Sequence, residues 1–140
     1  MYVYGLERLC ASHRSVLERL KGRETLRIKS RERSASMTLL RWGVLGATET
    51  PAGLVVWREA IEVTPQQLWI IRRLIGSRDR SAGITVSDRL RTAVDDLLVS
   101  GALSEEWHVD GWKVHLRVSD RGLVLICRNS VYSFRQRSGF

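Results

Sequence analysis

The spacing of apolar residues changes between positions 64 and 118, and this change constrains the fold more than any other feature of the chain. Up to Leu98 the apolar residues recur at helical spacing, in two separate runs. From Leu103 onwards they alternate with polar residues, and Asp110-Gly111 within the alternation is typical of a two-residue hairpin turn. The stretch therefore predicts helix, loop, helix and β-hairpin, in that order.

The first of these helices has the clearest start signal in the sequence. Thr64 is suited to the N-cap, Pro65 to the first helical position and Gln67 to the capping box, and Gly76 is placed to end the helix. The buried stripe of this helix is predicted to consist of Leu68, Ile71, Leu74 and Ile75.

The second helix is predicted to follow a polar loop over residues 77–83, to be capped by Thr85 or Ser87 and to end at Gly101. Its outward face carries cations and hydroxyls first and acids later. These residues are Ser87, Arg89, Arg91 and Thr92, followed by Asp95, Asp96 and Ser100. A recognition helix touches bases mainly with its N-terminal half, so this gradient favours DNA binding. An ordinary capped amphipathic helix would show the same gradient.

The hairpin and the residues after it are predicted to form a β-meander. A two-residue turn would place Val109 opposite Trp112 and Trp107 opposite Val114. Two further strands are predicted over LVLIC, residues 123–127, and VYSF, residues 131–134. A winged helix-turn-helix likewise has a helix that leads into a two-stranded ribbon, with the helix in a DNA groove and the hairpin beside it.

The N-terminal part predicts a different organisation. Residues 4–20 have the apolar spacing of an amphipathic helix, and residues 21–36 are so basic and polar that they predict a linker or mobile arm. Two strands are predicted over residues 38–46 and 53–63, with a helix over 57–63 as the alternative to the end of the second strand.

The predicted fold class is therefore α+β and winged helix-turn-helix-like, with an N-terminal helix and β-hairpin and the C-terminal meander as the wing. The predicted organisation has three parts. These are an amphipathic helix and basic arm over 1–36, a winged-helix-like domain over 37–135 and a basic tail over 136–140.

The formal net charge of +8 is concentrated at the two ends of the chain. Residues 1–36 carry nine Lys/Arg and four Glu, residues 37–127 carry eleven charges of each sign, and residues 128–140 carry three Arg. A polyanion would therefore meet the ends first, with salt-sensitive contacts to phosphate. The arm residues predicted to make these contacts are Arg27, Lys29, Arg31 and Arg33. The alternative is that basic ends only keep the protein in solution.

The sequence gives no reason to expect a catalytic centre, a metal site or a cofactor. Cys10 and Cys127 are far apart without ligand spacing, and His108 and His115 have no second ligand at a useful distance along the chain. No nucleophile is paired with a base, so an enzyme is the least favoured class. Idle thiols and apolar runs too short to span a bilayer predict a cytoplasmic protein without a membrane partner.

Three segments resemble the winged-helix domain of MarR-type regulators over roughly residues 63–126. VTPQQLWIIRRLI resembles their opening helix, RLRTAVDDLLVSGALSEEW their recognition helix and first wing strand, and VHLRVSDRGLVLI their second wing strand and the turn after it. The resemblance implies that Ser87, Arg89, Arg91 and Thr92 read DNA and that Lys113 contacts it from the wing. Two departures are evident: only SRDRSAGIT stands where the family has a further short helix, and strands are predicted where it has a dimerisation helix.

These observations favour a DNA-binding protein, a small transcriptional regulator with the second helix in the major groove and basic arms on the backbone. Double-stranded DNA is the favoured partner and RNA the alternative, and a homodimer would supply two half-sites. A change at Arg31 is expected to weaken binding to all sequences alike. The alternative function is an interaction or assembly module of a nucleoprotein whose basic ends contact RNA, since residues 37–127 carry no net charge.

Overall fold

The computed structural model describes residues 5–76, 81–85, 87–110 and 113–134, and within them the chain is α+β. The helices are α1 (Ala11–Leu20), α2 (Arg33–Arg41), α3 (Pro65–Ile75) and α4 (Asp88–Val99). The strands are β1 (Gly5–Arg8), β2 (Leu26–Arg27), β3 (Leu45–Thr50), β4 (Gly53–Arg58), β5 (Ile61–Glu62), β6 (Ser81–Thr85), β7 (Leu103–Asp110), β8 (Lys113–Val118), β9 (Val124–Cys127) and β10 (Ser130–Ser133). Short 3-10 helices cover Ser30–Glu32 and Asp120–Leu123.

A central sheet separates two hydrophobic cores. Its strand order is β1-β10-β9-β5, with β5 parallel to β9 and the other neighbours antiparallel. Every residue of β9 is buried, because Val124 and Ile126 face one core while Leu125 and Cys127 face the other. A strand covered on both faces reads as a continuous apolar run, and LVLIC is such a run.

The chain folds into two units that share one topology. The N-terminal unit, residues 10–58, runs α1-β2-α2-β3-β4, and the C-terminal unit, residues 64–118, runs α3-β6-α4-β7-β8. Each unit has a three-stranded sheet in which the last strand lies in the middle, in the orders β2-β4-β3 and β6-β8-β7. The same order of elements and the same strand pairing therefore occur twice.

The repeat extends to the buried side chains of the first helix in each unit. The N-caps are Cys10 and Thr64, each with a capping box to the third residue of its helix. The buried residues of α1 are His13, Val16, Leu17 and Leu20, and the residues equivalent to them in α3, which are also buried, are Gln67, Ile70, Ile71 and Leu74. A shared spacing from the cap gives both helices the same inward face.

The second helices match more closely still. Residues 30–45 and 88–103 align without gaps, and seven of the sixteen positions are identical. The identical pairs are Arg31/Arg89, Arg33/Arg91, Ala35/Ala93, Leu39/Leu97, Leu40/Leu98, Gly43/Gly101 and Leu45/Leu103. The two glycines end their helices with φ of 81° and 82°. The next amides, of Val44 and Ala102, donate to the carbonyls of Leu39 and Leu97 at 2.9 and 3.0 Å.

The two units lie on opposite faces of the central sheet. Its outer strands, β1 and β5, run in the same direction, because β1 and β9 are both antiparallel to β10 and β5 is parallel to β9. Each outer strand leads directly into the first helix of a unit, through Leu9 into one core and through Val63 into the other. A half-turn about an axis along the strands would relate the outer strands and the helices after them in this way, whereas the inner strands β9 and β10 are antiparallel and do not follow it.

The predictions for α3, β9 and β10 are confirmed, and so is the extent of α4. The Thr64 hydroxyl accepts from the Gln67 amide at 3.2 Å, and the Gln67 side chain accepts from the Thr64 amide at 2.9 Å. The residues predicted to be inside α3 are buried. Ser87 rather than Thr85 is the N-cap of α4, and Gly101 lies at its end with a left-handed φ.

The prediction of a basic arm over residues 21–36 is wrong, and the predicted boundary after residue 36 falls inside α2. Leu26, Ala35 and Leu39 are buried in the core of the N-terminal unit, so a few well-spaced apolar residues hold this basic segment in place. The strand predicted over 38–46 is also wrong, because the first half of that stretch belongs to α2.

Three further predictions, on a helix, a loop and the hairpin register, need correction. The helix predicted from residue 4 begins only at Ala11, since Gly5–Arg8 pair with β10 as β1. The predicted loop over 77–83 contains the start of β6, and residues 77–80 lie outside the described part. The predicted hairpin register holds from Leu103 to Glu106 but shifts in the bulge between Glu106 and Val109, which puts Val109 opposite Val114. Trp112 lies outside the described residues.

Gly122 is expected to tolerate no side chain. A Cβ at this position would lie 2.5 Å from the carbonyl oxygen of Ala102 and 2.9 Å from Cγ1 of Val118. Gly122→Ala should therefore lower the free energy of unfolding by about 1 to 3 kcal/mol, measured by urea denaturation. The control is Gly5→Ala, where the nearest atom outside the neighbouring residues would be 3.8 Å away. Equal stability of the two variants would contradict this packing.

His13 is expected to make stability depend on pH. Burial lowers the pKa of His13, and its Nδ1 accepts a hydrogen bond from the Cys10 amide at 3.1 Å, which requires an unprotonated ring nitrogen. Below about pH 6.5 the unfolded chain takes up a proton that the folded chain does not. The free energy of unfolding should therefore decrease as the pH is lowered. His13→Gln introduces the residue that α3 has at the equivalent position, Gln67.

We expect urea denaturation at pH 7.5 and 5.5 to show a smaller loss of stability on acidification for His13→Gln than for the unchanged protein. Glu32 does not interfere, because its pKa is lowered and it titrates in a more acidic range. The same loss in both proteins would show that His13 is not the titrating group.

Candidate nucleic-acid interface

Four of the residues predicted from the sequence are exposed at the N-terminal end of α4. Ser87 is the N-cap, and Arg89, Arg91 and Thr92 are all exposed in the first half of the helix. The opposite face, with Ala93, Val94 and Leu97, is buried. Helix α4 is fixed against α3 by that face and by the Gln67 side-chain amide, which donates to the Ala93 carbonyl at 3.4 Å.

The charge of α4 is less favourable to a polyanion than its arginines alone would indicate. Arg89 and Arg91 share the helix with Asp88, Asp95 and Asp96, which are exposed as well, so residues 88–99 carry one more acid than cation. Asp95 and Asp96 lie in the C-terminal half of the helix. If α4 approaches DNA with its N-terminal half and its C-terminal half points away from the duplex, these carboxylates stay far from phosphate.

The predicted arm residues are exposed but belong to the folded N-terminal unit. Arg27 is on β2, Lys29 precedes the 3-10 helix, Arg31 is within it, and Arg33 is the first residue of α2. Residues 27–41 contain five Lys/Arg and a single acid, Glu32. The basic charge of this segment is therefore displayed from a defined surface and not from a flexible chain.

Glu32 does not offset this positive surface, because it is buried and paired. Burial raises its pKa, but hydrogen bonds from the Arg19 side chain and from the Lys29 amide outweigh that effect, so that the pKa lies below the usual value. The Lys29 amide donates at 2.9 Å. The carboxylate is thus ionised at neutral pH and neutralised locally by Arg19.

Sequence reasoning missed Ser34, Met37 and Arg41, which line the outward face of α2 beside Arg33. The signal that could have identified them is the internal similarity between SRERSASMTLLRWGVL and DRLRTAVDDLLVSGAL. Lys113 is the first residue of β8 and pairs with Asp110 of β7, and its side chain lies outside the described part. The basic tail over 136–140 lies outside it too.

A separate groove of about 700 Å³ lies between α3 and the strands β9 and β10. Its lining includes Trp69, Arg72, Arg73, Arg128, Tyr132 and Phe134. The Trp69 side chain is half-exposed, and the Arg73 guanidinium lies 5.4 Å from the centre of its ring. The groove therefore combines cations with aromatic surface. Among the residues described, no three His, Cys, Asp or Glu side chains are grouped so that they could hold a metal ion.

Comparisons with protein-family models, with curated proteins and with solved structures give no match to this chain. Among the described helices, none has the length and apolar character needed to cross a membrane.

Proposed function

We propose that the protein is a DNA-binding transcriptional regulator whose C-terminal unit is a winged helix-turn-helix that inserts α4 into the major groove. The observation that carries the proposal is the exposed set of Ser87, Arg89, Arg91 and Thr92 on a helix whose other face is buried. Arginine forms bidentate hydrogen bonds with guanine, and serine and threonine hydroxyls bond with several bases.

The topology of the C-terminal unit supports a winged helix. Strand β6 comes between α3 and α4 along the chain and pairs with β8, which also pairs with β7. The hairpin that follows α4 is therefore part of a three-stranded sheet. The turn at Gly101 leads from the helix straight into the hairpin. This connection fixes the hairpin relative to α4, as a wing requires.

The proposal includes binding without catalysis and without a cofactor, in the cytoplasm. The two cysteines are free, with Cys10 exposed and Cys127 buried, as suits a reducing compartment. Double-stranded DNA is the proposed partner because a helix with arginines near its N-terminus suits the major groove of B-form DNA. The corresponding groove of an RNA duplex is too narrow and deep for side chains to read.

A salt series tests the class of ligand. We expect the full chain to bind random duplex DNA more tightly than random single-stranded RNA, with log affinity falling linearly with log salt concentration as counterions are released. Equal or tighter binding to the RNA would favour the nucleoprotein alternative. A complete lack of binding to both at low salt would contradict any role on nucleic acid.

The groove beside Trp69 is the specific observation that favours the second candidate function, an interaction module of a larger assembly. A half-exposed tryptophan beside a groove with cations and aromatic residues is typical of a surface that binds another protein. Under this candidate, Trp69→Ala should abolish assembly while DNA affinity is unchanged. Under the proposed function, DNA affinity should instead depend on the arginines of α4.

A further inference from the structure

We infer that α2 of the N-terminal unit is a second DNA-reading helix, so that one chain binds two half-sites in duplex DNA. The inference rests on the proposed function and goes beyond it. It assigns base-reading roles to Arg31, Arg33 and Ser34. The charge pattern alone assigns the two arginines to an arm that contacts phosphate, and it gives Ser34 no role.

The first support is that the repeat preserves the surface residues of α4 as well as the core. Arg31 and Arg33 occupy the positions of Arg89 and Arg91, and Ser34 occupies the position of Thr92, so the second hydroxyl is kept too. All these side chains are exposed. Exposed positions are not held by packing. The same two arginines occur in the first turn of α4 and, in the N-terminal unit, in the 3-10 helix and at the first residue of α2, which indicates a shared task at the surface.

The second support is electrostatic. The exposed charges of residues 30–41 are Arg31, Arg33 and Arg41, because the single acid, Glu32, is buried beside Arg19. At the positions where α4 has Asp95 and Asp96, α2 has Met37 and Thr38. Helix α2 therefore offers phosphate a more positive surface than α4 does, along its whole length.

The exposed partner of Arg33 does not prevent such a contact. Arg33 is 3.2 Å from Glu49, near the tip of the β3–β4 hairpin, and both side chains are more than half exposed. Exposed ion pairs contribute about 0 to 1 kcal/mol and exchange readily. The pair also shows that the hairpin of the N-terminal unit lies beside α2, which is where a wing would lie.

The third support is the arrangement of the two units. The outer strands β1 and β5 run in the same direction and lead into units on opposite faces of the central sheet, so we expect α2 and α4 to meet the two half-sites in opposite orientations. Dimeric helix-turn-helix proteins meet palindromic sites through the same symmetry. A single chain with two units can replace the dimer, and its half-sites need not be identical, because Met37, Thr38 and Arg41 differ from Asp95, Asp96 and Val99.

The test is selection of bound sequences from a random duplex library with the full chain and with three variants. Arg31→Lys with Arg33→Lys keeps the charge but removes the planar fork that contacts guanine. Arg89→Lys with Arg91→Lys does the same on α4. Arg23→Ala removes an exposed cation in the turn after α1 and serves as the control. Circular dichroism and urea denaturation establish that each variant is folded.

The inference predicts two enriched blocks in inverted orientation for the unchanged chain and for Arg23→Ala. The α2 variant should lose enrichment of one block by tenfold or more and retain the other, and the α4 variant should do the reverse. A single block that depends on Arg89 and Arg91 alone would overturn the inference and leave the proposed function intact. No enrichment by the unchanged chain would overturn both.

Discussion

Replacing Arg89 and Arg91 together with alanine is expected to weaken binding to the preferred duplex by about 2 to 6 kcal/mol, since each bidentate contact to a base contributes about 1 to 3 kcal/mol. The loss should be largest for the preferred duplex and small for random DNA, because the contacts that are removed read bases. Both side chains are exposed, so the free energy of unfolding should change by less than about 0.5 kcal/mol per substitution.

The matched control for this pair lies on the same helix. Asp95→Asn with Asp96→Asn removes two exposed carboxylates and should raise affinity for all duplexes, most clearly at low salt. Fluorescence anisotropy with labelled duplexes measures both pairs of variants. If alanine at positions 89 and 91 leaves the affinity for the preferred duplex unchanged, α4 is not the reading helix.

Leu125→Ala is expected to have the largest effect on stability, lowering the free energy of unfolding by about 2 to 5 kcal/mol. Leu125 is fully buried in β9, between Tyr132 of β10 on one side and Ile61 of β5 on the other. The Leu125 side chain packs in the core of the C-terminal unit, and the same strand carries Val124 and Ile126 into the core of the N-terminal unit, so the loss of Leu125 should weaken both units together.

Urea denaturation followed by tryptophan fluorescence and by circular dichroism tests this coupling, because Trp42 and Trp57 are in one unit and Trp69 is in the other. A single transition at a lower urea concentration, coincident by both probes, is expected for Leu125→Ala. Leu6→Ala is the control: Leu6 is in β1 of the same sheet but is 59% exposed. Two separate transitions, or equal stability of the two variants, would contradict the shared sheet.

The C-terminal unit and strand β9 of the central sheet were predictable because their local signals agree with their packing. The capping box at Thr64, the apolar stripe of α3, the left-handed glycine at 101 and the apolar run of β9 each depend on neighbouring residues only. The hairpin register was predictable at its base but not at its tip, since the bulge after Glu106 adds residues to one strand alone.

The N-terminal unit was not predictable by the same reasoning, because its apolar residues are sparse. Between Leu20 and Leu39 only a few residues reach the core, and the surrounding charge resembles that of a disordered segment. The helix and strand in this segment are indicated only by comparison of the two halves of the chain. The sequence LLRWGVL around Gly43 matches LLVSGAL around Gly101 in its two leucines, its glycine and the apolar pair that follows. The α4 part of the candidate interface was therefore predicted, while the α2 part was assigned to an arm.

The most direct test of the central claim is the ratio of two affinities of the full chain, for a duplex selected from a genomic library and for the same duplex with its bases shuffled. Both are measured at the same moderate salt concentration, so that contacts to phosphate contribute equally. A protein that reads bases through α4 should bind the selected duplex about a thousand times more tightly or better. Equal affinities for the two duplexes would contradict the claim.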